Sequence, residues 1–122
     1  MLLKDITMPH HHINYLEIPV KNVAKTKTFF KQVFGWQFQD YGSQYSCFLD
    51  VGISGGFFES DTVFTTENGA PLIVLYSSSL EQTQSRVTEY GGQISKAIFT
   101  FPGGRRFQFL DTNGNEYAVW SE

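Results

Sequence analysis

Histidine is scarce in this chain, and its three copies sit side by side as His10, His11 and His12. No Ser-His-Asp or Cys-His arrangement is therefore legible in the rest of the sequence. Cysteine is scarcer still. Cys47 stands alone, which excludes an internal disulfide. No apolar run reaches the roughly 18 residues that a membrane-spanning helix needs. The opening MLLKDITMPHHH has no long apolar core and no clear cleavage site, so no signal peptide is expected. Charged residues make up only 17% of the chain, the formal net charge is −3, and Arg105-Arg106 is the only arginine pair. A nucleic-acid partner would require a basic face, and none is expected. These scarcities together point to a cytoplasmic protein with neither a membrane nor a nucleic acid as partner.

What is present is apolar and aromatic. Of the 122 residues, 41% are hydrophobic, and twelve Phe, six Tyr and two Trp stand among them. That fits a globular core, not disorder. It also leaves two uses for the aromatics, a bulky core or an aromatic-walled cavity, of which the core is the commoner.

The chain is organised around a strand–helix grammar written twice. After an amino-terminal arm over 1–12, Leu16, Ile18 and Val20 alternate with Tyr15, Glu17 and Pro19, as expected of a strand. The first face is apolar and should meet a helix; the second should meet solvent or a cavity. Asn22 is a helix N-cap, the stripe Val23, Thr26, Phe30, Val33 and Phe34 predicts a helix over about 23–34, and Gly35 stops it. WQFQDY, YSCFLDV and GGFFE, ending near Glu59, read as three further strands. Gly52 to Gly56 is too apolar for a phosphate loop, and no helix start follows it. Residues 60–70, SDTVFTTENGA, are polar and turn-rich and read as a linker. The pattern then restarts over about 71–121. Leu72, Val74 and Tyr76 share one strand face, Ser79 with Gln82 has the form of a capping box, and a helix is expected over about 80–90 before Gly91-Gly92. QISKAIFTF, GRRFQFLD and NEYAVWS follow as strands, with Asp111 to Asn115 as the last turn. The histidine tract reads as an exposed arm or a tag remnant, because three adjacent side chains on a strand cannot face one ion.

An offset of 57 residues carries Asn22 onto Ser79, Val23 onto Leu80, Thr26 onto Thr83, Phe30 onto Val87 and Gly35 onto Gly92. An offset of 61 carries Phe48 onto Phe109 and Asp50 onto Asp111. Cap, stripe and stop coincide, so both halves (about 13–59 and 71–121) read β-α-β-β-β. One such unit alone has too little core. Two would bury their helix-facing sides and curve their sheets around a cup, giving an α+β fold of two βαβββ modules, with pairing within one chain or between two left open.

This repeat, with IPVKNVAKTKTFFKQVFGW and FLDTNGNEYAVW, resembles the vicinal oxygen chelate superfamily: glyoxalase I, bleomycin-resistance proteins, fosfomycin-resistance enzymes and extradiol dioxygenases. The likeness spans about 13–121. The helix ending in FGW and the GGFF strand are similar to stand-alone glyoxalase-related proteins. The resemblance implies where a divalent metal would bind: a His or Gln on the first strand, a His on the fifth, a Glu on the last, with a further carboxylate from the fourth. In this sequence those positions hold Tyr15, Leu72, Ala118 and Phe57, with Glu59 one same-face step beyond Phe57. Leucine and alanine cannot coordinate a metal. The expectation is therefore no metal and no other cofactor.

The remaining candidates each carry two readings. Glu17, beside Tyr15, is a general base or hydrogen-bond acceptor, or else a solvated strand carboxylate. Glu59 has the same pair of readings. Arg106, which shares a face with Gln108, is a clamp for a ligand anion or a surface charge. Tyr45 and Cys47 fall on the cup-facing parity, Cys47 as a reactive thiol or a small filler. Phe57, Tyr76 and Trp120 at or near ligand positions suggest an aromatic-walled pocket, or else a filled one. Two functions follow: metal-free binding of a small planar ligand, or a glyoxalase-related lyase or isomerase acting on a carbonyl or thioester through Glu17 or Glu59 or through an atypical metal site. The aromatic-rich strands, and the habit of relatives of this short form, imply a homodimer.

Overall fold

The computed structural model describes residues 8–122. Its order is β1 (Tyr15–Val20), α1 (Val23–Phe34), β2 (Gln37–Asp40), β3 (Tyr45–Leu49), β4 (Ser54–Glu59), β5 (Ile73–Tyr76), α2 (Leu80–Glu89), β6 (Gln93–Phe101), β7 (Gly104–Leu110) and β8 (Glu116–Ser121). Both halves are thus β-α-β-β-β, as the repeat predicts. The strands form two four-stranded mixed sheets with orders β1-β4-β3-β2 and β5-β8-β7-β6. In each, the first and fourth strands of the module run parallel and the other pairs antiparallel.

Local chemistry sets the element ends. The Asn22 side chain accepts from Lys25 N–H, and Gly35, at φ 72°, turns the chain out of α1 while its N–H bonds Lys31 O. At α2 the expected capping box does not form: the Ser79 side chain makes no cap bond. Ser77, further upstream, satisfies the N–H of Ser79 itself. Its hydroxyl accepts from Ser79 N–H at 3.0 Å and lies 2.7 Å from Thr83 Oγ1. In the last turn the Asp111 carboxylate accepts from the N–H groups of Asn113 and Asn115. His10 and His11 stack in a turn with ring centroids 3.8 Å apart; the start of the arm, 1–7, lies outside the described residues.

The two modules share one core. Phe30 of α1 is fully buried and meets Phe57 of one sheet at 5.4 Å and Tyr117 of the other at 5.3 Å between ring centroids. Phe29, which the sequence stripe did not include, packs on Phe109 at 6.0 Å. Polar ties run alongside: Asn113 Oδ1 accepts from Lys21 N–H at 2.9 Å, and Asn115 Nδ2 donates to Pro19 O at 2.8 Å. The sheets therefore meet through their helix-bearing faces, and their other faces point away from the common core. No helix of the described residues is long and apolar enough to cross a membrane.

Candidate functional site

The outward face of the first sheet is built by strand register. Glu17 on β1 pairs with Gly56 on β4, and Gly56 with Cys47 on β3. Side chains of Tyr15, Glu17, Tyr45 and Cys47 stand on this face, with Gly56 leaving a gap in the middle. Tyr45 reaches across that gap and donates to Glu17 Oε2 at 2.9 Å. The Tyr15 and Tyr45 hydroxyl oxygens are 2.5 Å apart, and Tyr15 oxygen lies 3.6 Å from Cys47 Sγ. The cluster expected from the sequence is thus joined into one network. Burial first, and then the hydrogen bond donated to Glu17, push the Tyr45 phenol up. Contacts with Tyr45 and Cys47, together with burial, leave the Tyr15 phenol raised as well. Both are neutral at ordinary pH.

Phe57 and Glu59 are not part of this face, which corrects their expected placement. Phe57 pairs with Ile18 and Glu59 with Val20, so both take the core-side parity. Phe57 is fully buried between Phe30 and Phe48, and Glu59 is exposed at the strand end. Parallel pairing with β1 sets their parity, which follows the apolar Ile18 and Val20 face.

The outward face of the second sheet holds Arg106, Gln108 and Trp120, as expected. Arg106 pairs with Trp120 and Gln108 with Ala118. Tyr76 packs edge-on to Trp120 at 5.2 Å and donates to Glu122 at 2.6 Å. Three residues here escaped the sequence reading. Lys96 Nζ sits 4.5 Å from the Phe99 ring centroid, and the Arg106 guanidinium lies 5.2 Å from the same ring. Nε of Arg106 is buried without a hydrogen-bond partner among the described residues. The third is Glu116, whose two-residue spacing from Ala118 was the available signal. Burial opposes its charge, but hydrogen bonds from Thr66 N–H, Thr66 hydroxyl, Ser95 and Gln108 outweigh that and hold its carboxyl lowered to about 2.

Among the described residues no hydrogen bond or ring contact joins the two outward faces, and no three His, Cys, Asp or Glu side chains come together to hold a metal. Leu72 and Ala118 offer no donor atom, Tyr15 is engaged with Tyr45, and Glu116 is saturated by protein donors. The residues present do not fit a divalent metal. A cleft of about 720 Å³ lies between β1 and β5, lined largely by apolar residues such as Leu16, Ile18, Trp36 and Leu75 and reaching Tyr76. It lacks the convergent polar groups that orient a small ligand, so the outward faces are the better candidates.

A family model described as Glyoxalase/Bleomycin resistance protein/Dioxygenase superfamily matches residues 12–119. Solved structures share the architecture. One is a glyoxalase/bleomycin resistance protein/dioxygenase family enzyme from Burkholderia phytofirmans, with TM-score 0.76, 16% identity, and 88% of this chain and 96% of that one covered. The genomically encoded fosfomycin resistance protein of Listeria monocytogenes gives TM-score 0.74 at 19% identity, covering 91% and 93%. Lactoylglutathione lyase from Agrobacterium tumefaciens gives 0.67 at 15%, covering 93% and 96%. At these identities the likeness is one of fold. No curated protein matches the sequence.

Proposed function

The chain belongs to the glyoxalase/bleomycin resistance protein/dioxygenase superfamily, and from that premise we propose that it binds a small planar organic ligand without a metal, in a cup closed between two copies of the chain. The observation that carries the metal-free part is the donor set: Leu72 and Ala118 stand where metal-using relatives need ligands. Pairing with a second copy changes which modules face each other, but not what stands at those positions. The ligand part is supported by Trp120 and Tyr76, whose rings offer stacking area, and by Arg106, whose buried Nε lacks an acceptor that a ligand would supply.

Pairing between copies is supported by the direction of the faces. One carries Glu17 and two phenols; the other carries Arg106 and Lys96, with Glu116 already held by Thr66, Ser95 and Gln108. They point away from a shared core, and their charges are complementary. Strands β1 and β5 each pair on one side only, leaving edges that a second copy would cover. A homodimer in the cytoplasm, where a lone thiol stays reduced, is the setting this reading implies.

A second reading, a lyase or isomerase, is favoured by one observation: Glu17 is an exposed carboxylate bonded to a phenol on an accessible face. Glu59, on the other side of the sheet, is not part of it. A thermal-shift screen of planar aromatic compounds, run with and without chelator beside metal analysis of the native protein, tests the proposal. Stabilisation that survives chelation is the expected result. Stoichiometric metal required for binding or for turnover overturns it.

A further inference from the structure

The hydrogen bonds on the first sheet have a fixed direction, and that direction selects a ligand. A carboxylate only accepts, so the single Tyr45 proton is committed to Glu17 Oε2 at 2.9 Å. Tyr45 oxygen must then be the acceptor in its 2.5 Å contact with Tyr15, and the Tyr15 proton is committed in turn. The Cys47 thiol, 3.6 Å from Tyr15 oxygen, finds only an acceptor there. The order is Cys47 to Tyr15 to Tyr45 to Glu17, with the charge at the far end. A thiol is a weak donor, so the 3.6 Å Cys47 contact leaves the Tyr15 oxygen able to accept from a stronger one. Tyr15 is 46% exposed. With its proton committed to Tyr45, the exposed Tyr15 hydroxyl can only accept from a ligand.

We propose that Tyr15 is the ligand-contacting end of this network and accepts a hydrogen bond from a neutral O–H or N–H group on a planar aromatic ligand, so that the site takes the protonated form of an acidic ligand and rejects its anion. The inference rests on the small-ligand reading above and deepens it. Glu17 acts through Tyr45 as a positioning residue: it orients both protons inward and touches no ligand itself. Raised phenol pKa values keep both protons in place at neutral pH, so the polarity does not invert there.

4-Nitrophenol is a suitable probe, because its O–H ionises near neutrality and its nitro group suits Arg106; 4-nitroanisole, its methyl ether, removes the donor alone. Binding of both to the full-length protein is measured by calorimetry on either side of the nitrophenol ionisation. The neutral phenol should bind about fivefold or more tighter than the ether, as one net hydrogen bond allows, and tighter than the phenolate. Tyr15→Phe should bring phenol and ether to within about twofold. Tyr45→Phe releases the Tyr15 proton and should narrow the preference for phenol over phenolate, a change that a merely structural role would not produce. Equal binding of phenol and ether to the wild type overturns the inference and leaves the small-ligand reading standing. So does a phenol preference that persists in Tyr15→Phe, which would assign it to charge repulsion by Glu17. Failure of both probes to bind overturns the inference and counts against the small-ligand reading.

Discussion

The ring of Tyr45 fills the space above Gly56 where a side chain would stand: a Cβ at that position would lie 2.8 Å from the Tyr45 ring and 2.8 Å from the backbone oxygen of Ser46. The missing side chain is what lets Tyr45 cross β4 and reach Glu17. Gly56→Ala should therefore displace the ring and also strain the strand, because backbone cannot swing aside. A loss of about 1–3 kcal/mol is expected, as for overpacked sites. Chemical denaturation measures it, against Tyr45→Phe, which removes the hydrogen bonds but keeps the ring and should cost less.

Trp120 stands on the second outward face, against Tyr76, whereas Trp36 packs among Phe30 and Phe48 in the core. Ligand binding should therefore quench Trp120 fluorescence and leave Trp36 largely unchanged. Trp120→Ala should weaken binding about tenfold through lost aromatic contact. Unchanged affinity in that variant would move the ligand off this face.

Tyr117 is fully buried against Phe30 and Phe109, yet its hydroxyl has no hydrogen-bond partner among the described residues. Burying an unpaired hydroxyl costs about 1–3 kcal/mol. Tyr117→Phe keeps the ring contacts and removes that penalty, so it should raise the melting temperature by several degrees. A lower melting temperature would show that the hydroxyl is satisfied in solution.

Caps, stripes and glycine stops made both modules legible, because each is a local device whose sequence cost is visible. The outward cluster of Tyr15, Glu17, Tyr45 and Cys47 was legible for the same reason, through strand alternation. Phe57 was not: its face depends on the register of β4 against β1, a pairing across more than one connection that alternation alone does not anchor. Nor was the role of Gly56, since a glycine advertises flexibility locally and reveals its neighbour only in three dimensions. The capping box at Ser79 was legible but does not form, because the turn before α2 brings the Ser77 hydroxyl onto the Ser79 N–H and the Thr83 hydroxyl instead. Glu116 shared the parity of Ala118, but its partners come from Thr66, Ser95 and Gln108, three segments that only folding brings together.

Val74 is 43% exposed on β5, a strand paired on one side only. If a second copy covers this edge, a lysine there places a charge in the interface. Light scattering at tens of micromolar should report a dimer for the wild type and a shift toward monomer for Val74→Lys, with circular dichroism unchanged. A monomeric wild type at that concentration would remove the paired cup.

Glu116 sets an acid-side stability window whose sign is fixed by its environment. Its carboxyl lies near 2 in the folded protein against 4.5 for the free group. A depressed folded-state value means that the unfolded chain binds the proton first as pH falls. The stabilisation is therefore complete above about pH 5 and drains away as pH drops from about 4.5 through about 2; its full size is at most about 3 kcal/mol. Asp111 runs the other way: burial, only partly offset by hydrogen bonds from Asn113 and Asn115, raises its carboxyl. The wild-type profile alone mixes the two. Glu116→Gln separates them, because it leaves Asp111 in place while removing the charge that Thr66, Ser95 and Gln108 solvate. Unfolding free energies of the two proteins, measured in urea from pH 7 to pH 2, should differ most at neutrality and converge toward pH 2. A gap that stays constant across that range would mean that side-chain shape, not the ionised carboxylate, holds the linker against the second sheet.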